Sequence, residues 1–395
     1  LKLIVTYLWI GIQIIIAFNL VFPLLLLLFH AFKTWKKQVR KPLISTQPDY
    51  AVIVTAYEET ANLPAVVSSI LHSTYPDFIL YVVADKCDIS GLHFDDPRVV
   101  LLRPEDTLSG NTRSHFYAIA HFKRPHSHLT IIDSDNLVAP TYLQELTAYF
   151  NQGYQAVQGI RKAKNLDSTY ACLDAARDIY YHFYDGKLLF EAGSSATLAG
   201  SGMAFTTALY KNCLEKLDVQ GAGFDKVLQA QILNRDLRIA FAEHAIVFDE
   251  KTSRSEQLVK QRSRWINTWF KYFSYGFTLI GKGIRHFSLN QLLFGVVLLR
   301  PPLFIFLLLS VLFMLTNLWI SLISSVAWFL ALACFVGSFY IALTYSDTDK
   351  RIYASLSGIP KFMLYQVISL FKVRRANQHS VATRHYHHTE LESRE

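Results

Sequence analysis

Charged side chains are scarce in this sequence: they make up 18% of 395 residues, against 51% hydrophobic ones, and none lies at positions 3–29. Such a chain does not read as one or two ordinary soluble domains; a soluble domain joined to a membrane part fits it better. The uncharged N-terminal run exceeds the roughly 20 residues that cross a bilayer. It is too long for the apolar core of a signal peptide and lacks a small-residue cleavage site, so it reads as a retained transmembrane helix. Cysteine is equally sparse. Cys87, Cys172, Cys213 and Cys334 form no C-x-x-C pair and no zinc-ligand spacing, which argues against a disulfide framework and suits a soluble part in reducing cytosol. Internal repeats and low-complexity segments are missing too.

The charge that is present sits in blocks beside apolar runs. Lys33, Lys36, Lys37, Arg40 and Lys41 follow the first run, whereas only Lys2 precedes it; positive charge marks the cytoplasmic side, so the N-terminus is expected outside and the next segment inside. The net charge of +8 therefore suits an anionic membrane surface. A nucleic-acid binder would interleave its basic residues with aromatics on one soluble face, so no nucleic-acid partner is expected. The C-terminal RHYHH reads as a solvated tail. Leu1 rather than Met opens the chain, which leaves an upstream segment open.

From 49 to 249 the short runs YAVIVTAY, FILYVVAD, RVVLLRP, LTIIDSD and YQAVQG end in polar or turn residues, with helical patterns such as NLPAVVSSILHS and TRSHFYAIAHF between them. Strand and helix in alternation predict an α/β fold with a mostly parallel sheet covered on both faces. Ligands in such sheets bind beyond the carboxyl ends of the strands. Past 250 the chain turns amphipathic and then fully apolar, which predicts two membrane spans near 302–322 and 326–345 with Ser324 and Ser325 as their external turn. Arg300 and the cluster from Asp347 to Arg351 would flank this hairpin on the inside. The segment IYASLSGIPKFMLYQVISLF contains Pro360 and Lys361, and a full crossing would carry the basic tail outside; it reads as an interfacial helix on the inner surface. The expected division is a transmembrane helix (1–32), a basic linker (33–48), a cytosolic domain (49–253), an amphipathic interfacial region (254–300), a transmembrane hairpin (301–346), and an interfacial helix with a basic tail (347–395).

In LTIIDSDNLVAP, two like charges emerge from the end of an apolar strand. Residues two apart in an extended strand point the same way, so Asp133 and Asp135 can face one divalent cation, which is typically held by one or two carboxylates plus substrate phosphates. The alternative is a solvated turn ahead of the next helix. Glu58 and Asp85 end neighbouring strands and stand along the same predicted rim, where each can equally be a helix cap or loop residue. Asp225, in GAGFDKVLQAQIL, reads as a helix N-cap or as a general base for an attacking hydroxyl. Gly200, Ser201 and Gly202 allow close backbone approach to a ligand or make an ordinary turn. In QRSRWINTWFKYF, Arg264 can neutralise a diphosphate through its planar fork and Trp265 can stack on a sugar ring; the alternative is an interfacial helix whose arginines reach for headgroups.

The ordered series TAYEE, VVADKCD, IIDSD, GSGMAF, GFDKVL, AEHAIVFDE and QRSRW, over roughly 51–265, resembles the membrane-anchored inverting family 2 glycosyltransferases, the group of the cellulose, chitin, hyaluronan and poly-N-acetylglucosamine synthases. The resemblance implies a GT-A nucleotide-diphospho-sugar transferase domain with transmembrane and interfacial helices. Residue by residue it assigns Ala56, Glu58 and Asp85 to the nucleoside, Asp133 to the nucleotide diphosphate, Asp135 to Mg²⁺ or Mn²⁺, and Asp225 to the catalytic base. Gln261, Arg264 and Trp265 correspond to the Q-x-x-R-W that closes over the donor and meets the acceptor, with Gly200, Ser201 and Gly202 on the acceptor and diphosphate side. Phe224 stands where the family usually has Glu, and SGNTRSHF replaces the usual Gly-Lys, with Arg113 as the nearby cation.

The function expected from this is β-glycosyl transfer from a nucleotide sugar, UDP-glucose or UDP-N-acetylglucosamine, to a growing polysaccharide, in a plasma (bacterial inner) membrane with the catalytic domain cytoplasmic. With one N-terminal and two C-terminal spans a polymer channel would be narrow or would need export subunits. Addition of one sugar to a lipid acceptor is the second reading, and a catalytically silent membrane scaffold the third.

Overall fold

The computed structural model describes residues 2–34, 46–219 and 221–373. Lys36, Lys37, Arg40, Lys41 and the basic C-terminal tail with its RHYHH stretch lie outside the described residues. Helix α1 (Lys2–Thr34) leads to the strands β1 (Tyr50–Tyr57), β2 (Phe78–Asp85), β3 (Val99–Leu102), β4 (His128–Asp133), β5 (Leu137–Val138), β6 (Ala156–Ala163), β7 (Met203–Thr206) and β8 (Ile239–Asp249). They form one sheet in the order β3-β2-β1-β4-β7-β6-β8-β5. β3, β2, β1 and β4 run parallel, as do β6 and β8. β7 is antiparallel to both β4 and β6, and β5 to β8. The sheet is mostly parallel but mixed.

The continuous apolar runs exist because both faces of the central strands are covered. Ala51 and Ile53 of β1 belong to one core, while Tyr50, Val52 and Val54 belong to the other. Helices α2 (Leu63–Leu71), α3 (Asn111–Ala120) and α4 (Tyr142–Phe150) cross between strands. Helix α5 (Thr169–Tyr181) starts where the Ser168 hydroxyl accepts from the Ala171 amide at 3.2 Å, and continues through a π-helical stretch (His182–Leu188) into α6 (Leu189–Glu191). After α7 (Thr207–Leu214) and α8 (Phe224–Asn234) come α9 (Ser255–Tyr272), α10 (Tyr275–His286) and α11 (Leu289–Leu299). The chain ends its described course with α12 (Leu303–Ile320), α13 (Leu322–Tyr345), α14 (Lys350–Ser355) and α15 (Ile359–Phe371).

Among the described residues, α1, α12 and α13 are long and apolar enough to cross a membrane. The turn between α12 and α13 is the single residue Ser321, whose hydroxyl accepts from the Ser324 amide. Ser324 and Ser325 therefore lie in the first turn of α13, not in the expected loop, because Ser321 already supplies the cap that begins the helix. The span that follows α13 breaks at Leu356–Gly358 into α14 and α15, each too short to cross. Gln13 ties the spans together: its Oε1 accepts from Asn317 Nδ2 at 2.6 Å and Trp328 Nε1 at 2.8 Å. At about 1.5 Å per residue α1 is longer than a bilayer core, and its later turns bury Leu20, Phe22 and Leu26. The hairpin docks on the α/β part through Tyr184, whose hydroxyl donates to the Ser338 carbonyl at 2.8 Å.

Candidate active site

Parallel strands end on one side, and a cavity of about 1320 Å³ opens there. Asp133 closes β4, in register with Thr55 of β1. Beyond it the chain does not stay extended: the Asn136 amide donates to the Asp133 carbonyl at 3.1 Å, a tight turn. Strand alternation is thus not what brings Asp133 and Asp135 together, as the sequence suggested; the turn does, and both line the cavity with Ser134 and Asn136. Buried Ser201 holds this turn from behind, its hydroxyl accepting from the Asp133 amide at 3.0 Å and from Asn136 Nδ2 at 2.7 Å. Ser201 and Gly202 accordingly support the wall, and Gly200 is the member of that trio that lines the cavity. Gly200 and Gly202 have φ of 88° and 68°, backbone that glycine adopts without strain.

The expected nucleoside residues divide. Glu58 lines the cavity mouth, in a left-handed conformation with φ 61°, and pairs with Lys86 at 2.7 Å. Ala56 is buried inside β1. Asp85 sits behind the rim: it is 2% exposed, and its carboxylate accepts from the amides of Leu108 at 2.9 Å and Ser109 at 2.8 Å. It fixes the loop ahead of α3 rather than facing the cavity. Arg113 does not supply the missing cation either; it forks onto Asp218 at 3.1 and 2.8 Å, and Asn111 is the residue of that segment on the cavity wall.

Asp225 is not the N-cap of α8; Gly223 holds that place with φ 102°, and Asp225 lies in the first turn, lining the cavity. A Cβ on Gly223 would come within 2.6 Å of both Thr268 and Tyr272. The glycine thus lets α8 begin against α9 and sets Asp225 beside the Q-x-x-R-W helix. Lys226 Nζ stands 3.0 Å from the Asp225 carboxylate and donates to the Leu198 carbonyl at 3.0 Å. Phe224, in the place of the usual acid, is buried, with its ring 5.1 Å from that of His115. His115 bonds the Tyr210 hydroxyl at 2.7 Å through Nδ1, and burial pushes its pKa down to about 3. A neutral aromatic cluster therefore lies under the first turn of α8, next to Asp225.

One face of α9 lines the cavity: Gln257, Lys260, Gln261, Arg264, Trp265 and Thr268 recur at helical spacing. Gln261 Oε1 accepts from the Thr252 hydroxyl at 3.2 Å. Burial draws the Arg264 pKa down from its usual value. Trp265, 37% exposed, has two guanidinium groups against its ring, Arg177 at 4.2 Å and Arg262 at 4.1 Å from the centroid. Such contacts hold an indole in place.

Around this pair lies a buried ion network that the motifs do not announce. Lys251 Nζ is 2.5 Å from Asp178 and 2.6 Å from Asp249. Arg161 reaches Asp249 at 3.2 Å and Asp178 at 3.5 Å, and Arg177 reaches Asp178 at 2.5 Å and Asp174 at 3.1 Å. Arg262 pairs with Asp174. Burial opposes the charge on Asp178, but Lys251, Arg177 and Arg161 hold its carboxyl well below the usual range. His182 is buried among these cations and pushed down to about 3, so it is neutral. The one sequence signal was DAARD, Asp174 to Asp178 (i, i+4), inside an otherwise apolar helix.

Asp133 and Asp135 are hard oxygen donors on the cavity wall, and among the described residues no third His, Cys, Asp or Glu joins them as a ligand group. That set fits a divalent ion whose shell is completed by a substrate diphosphate and water, and does not fit an all-protein site.

The glycosyltransferase-like family 2 profile matches residues 48–268, more than half of the chain. The chain belongs to that family and is a glycosyltransferase. Among solved structures it is similar to the mannosyltransferase PcManGT from Pyrobaculum calidifontis in complex with GDP-Man and Mn²⁺, at 16% identity and a TM-score of 0.51, covering 91% of this chain and 98% of that one. It also matches S. aureus TarS 1-349 in complex with UDP-GlcNAc, at 15% identity and a TM-score of 0.39, covering 83% and 89%. No curated protein sequence matches.

Proposed function

We propose that this chain is a membrane-embedded inverting glycosyltransferase that moves a sugar from a nucleotide-sugar donor onto an acceptor hydroxyl, with its catalytic domain cytoplasmic. The observation that carries the reading is that the turn after β4, the first turn of α8 and one face of α9 line a single cavity at the carboxyl ends of the strands. Asp225 takes the proton of the acceptor hydroxyl while that oxygen bonds to the anomeric carbon. The bond from that carbon to the diphosphate oxygen breaks, and its electron pair leaves with the nucleoside diphosphate. Attack from the opposite face inverts the centre, so an α-linked donor gives a β-glycoside. Arg264 stabilises the departing charge and Trp265 seats a sugar ring. Asp135 with Asp133 would hold a Mg²⁺ or Mn²⁺ ion, which when bound would supply Lewis-acid stabilisation of the leaving diphosphate.

Glu58 and the neighbouring cavity rim meet the nucleoside in this reading, with Asp85 shaping the loop behind it. UDP-glucose and UDP-N-acetylglucosamine are the donors suggested by the family resemblance, and GDP-mannose by the Pyrobaculum enzyme. A growing polysaccharide acceptor would need a path through three spans or through export subunits; a lipid acceptor needs no channel. Release of nucleoside diphosphate by the purified protein, across UDP- and GDP-sugars with Mg²⁺ or Mn²⁺, tests the reading. Metal-dependent turnover with one donor is the expected result. Absence of turnover with every donor favours the silent scaffold.

A further inference from the structure

The cavity does not end at the Q-x-x-R-W helix. Past Arg300 and Pro302 it continues between the membrane helices, where its walls become apolar: Leu303 and Leu307 from α12, Val336 and Tyr340 from α13, Phe362 and Met363 from α15. The α15 contribution is one stripe, with Ile359 and Gln366 at the same helical spacing. Val336 and Tyr340 are 62% and 54% exposed and lie within candidate spans. The apolar end of the cavity therefore opens sideways, toward the surface that hydrocarbon covers in a membrane. Its volume of about 1320 Å³ exceeds the roughly 300–1,000 Å³ that holds a drug-sized ligand. The polarity is graded along one continuous space, with carboxylates and guanidinium groups at the strand ends and aliphatic and aromatic side chains from α12, α13 and α15 at the other end.

We infer that this apolar vestibule seats the hydrocarbon chain of a lipid-linked acceptor, whose hydroxylated head reaches Asp225 while its chain lies between α12, α13 and α15. The inference rests on the transferase reading and adds the acceptor class to it. A single amphipathic molecule fits the gradient. A free polysaccharide does not, since its hydroxyls would meet Leu307, Phe362 and Met363 without hydrogen-bond partners.

The test uses the full chain in nanodiscs with whichever donor it turns over. The probes are methyl, hexyl and decyl glycosides of glucose, galactose and N-acetylglucosamine. Transfer efficiency to the decyl glycoside is expected to exceed that to the methyl glycoside by at least about tenfold with one of these heads, since each buried methylene favours binding by roughly fourfold until the vestibule is full. Val336→Trp and Met363→Trp fill the space from two sides, and either is expected to reduce the decyl-to-methyl ratio by at least about threefold. The ratio is read within each variant, so a general loss of stability does not imitate the effect. Donor turnover with equal use of methyl and decyl probes, or label collecting in a water-soluble polymer, overturns the inference and leaves the transferase reading standing. No donor turnover at all refutes that reading and this inference together.

Discussion

Asp178 is the most heavily engaged acid in the cavity wall, with Lys251 and Arg177 at 2.5 Å and Arg161 at 3.5 Å. Asp178→Asn preserves its shape and removes its charge. Arg177 keeps Asp174, but Lys251 and Arg161 are left buried with Asp249 as their acid. Opposite charges about 4 Å apart attract by about 4 kcal/mol at an effective dielectric of 20. Removing one partner of a buried pair costs about 3–5 kcal/mol, because the remaining charge stays desolvated. At roughly 2–4 °C per kcal/mol for a domain of 150–250 residues, the unfolding midpoint is expected to fall by about 6–20 °C. Tryptophan fluorescence during thermal unfolding of the detergent-solubilised protein measures it. Adding Lys251→Met to Asp178→Asn removes a stranded cation and is expected to recover part of the loss, a coupling that a double-mutant cycle reads directly. The folded carboxyl titrates below its ordinary value, so its contribution is complete above the ordinary carboxylate range and disappears as pH falls through the depressed folded value. A midpoint within about 2 °C of the unmodified protein would show that water already screens these charges and would refute the reasoning.

Asp135→Ala is expected to abolish Mg²⁺- or Mn²⁺-dependent release of nucleoside diphosphate, and retained metal dependence would place the ion elsewhere. Trp265→Ala removes the ring packed against Arg177 and Arg262; transfer is expected to fall by at least about tenfold while the unfolding midpoint moves by about 2–8 °C, since each of the two cation–π contacts at an exposed ring contributes about 0.5–1 kcal/mol. Equal losses of activity and stability would make the tryptophan purely structural. His115 and His182 are buried neutral, both pushed from 6.5 to about 3. The unfolded chain then binds the extra protons, so their contribution is complete above pH 6.5 and declines as pH falls toward 3, by up to about 1.4 kcal/mol per pH unit for each. Denaturant titration at pH 7 and pH 5 measures the slope, and His182→Gln is expected to reduce it; identical stability at the two pH values would mean that the rings are hydrated. Gln13→Ala unties Asn317 and Trp328 within the membrane and is expected to cost about 1 kcal/mol, given about 0.6 kcal/mol for such a bond; an unchanged midpoint would show that helix packing alone holds the spans together.

The central strands were legible because burial on both faces writes them as unbroken apolar runs, as in YAVIVTAY and FILYVVAD. The strands β5, β7 and β8 were not. β5 has two residues, β7 follows a glycine pair, and β8 carries Glu243 and His244 beside the register shift at Gly159/Ile160. The motif residues Asp133, Asp135, Asp225, Gln261, Arg264 and Trp265 could be named from their order and do meet in one cavity. Which of the remainder face it could not be read, because Asp85 and Ser201 are turned toward backbone amides that only the folded loops bring near. The ion network was hidden for a similar reason: beyond the DAARD stretch of α5, its members come from β6, the end of β8 and the residues after it, and α9, and no local spacing relates these to α5.

The most direct test of the central claim compares the unmodified protein with Asp225→Asn, measuring sugar transfer and, separately, binding of the nucleotide-sugar donor. If Asp225 is the base, transfer falls by at least about 10²-fold, the lower end of what a positioned general base contributes, while donor affinity changes by less than about threefold, about 0.65 kcal/mol. Full transfer by the variant would remove Asp225 from the mechanism and contradict the account; loss of donor binding in parallel with transfer would contradict its role as the base and make it a donor ligand.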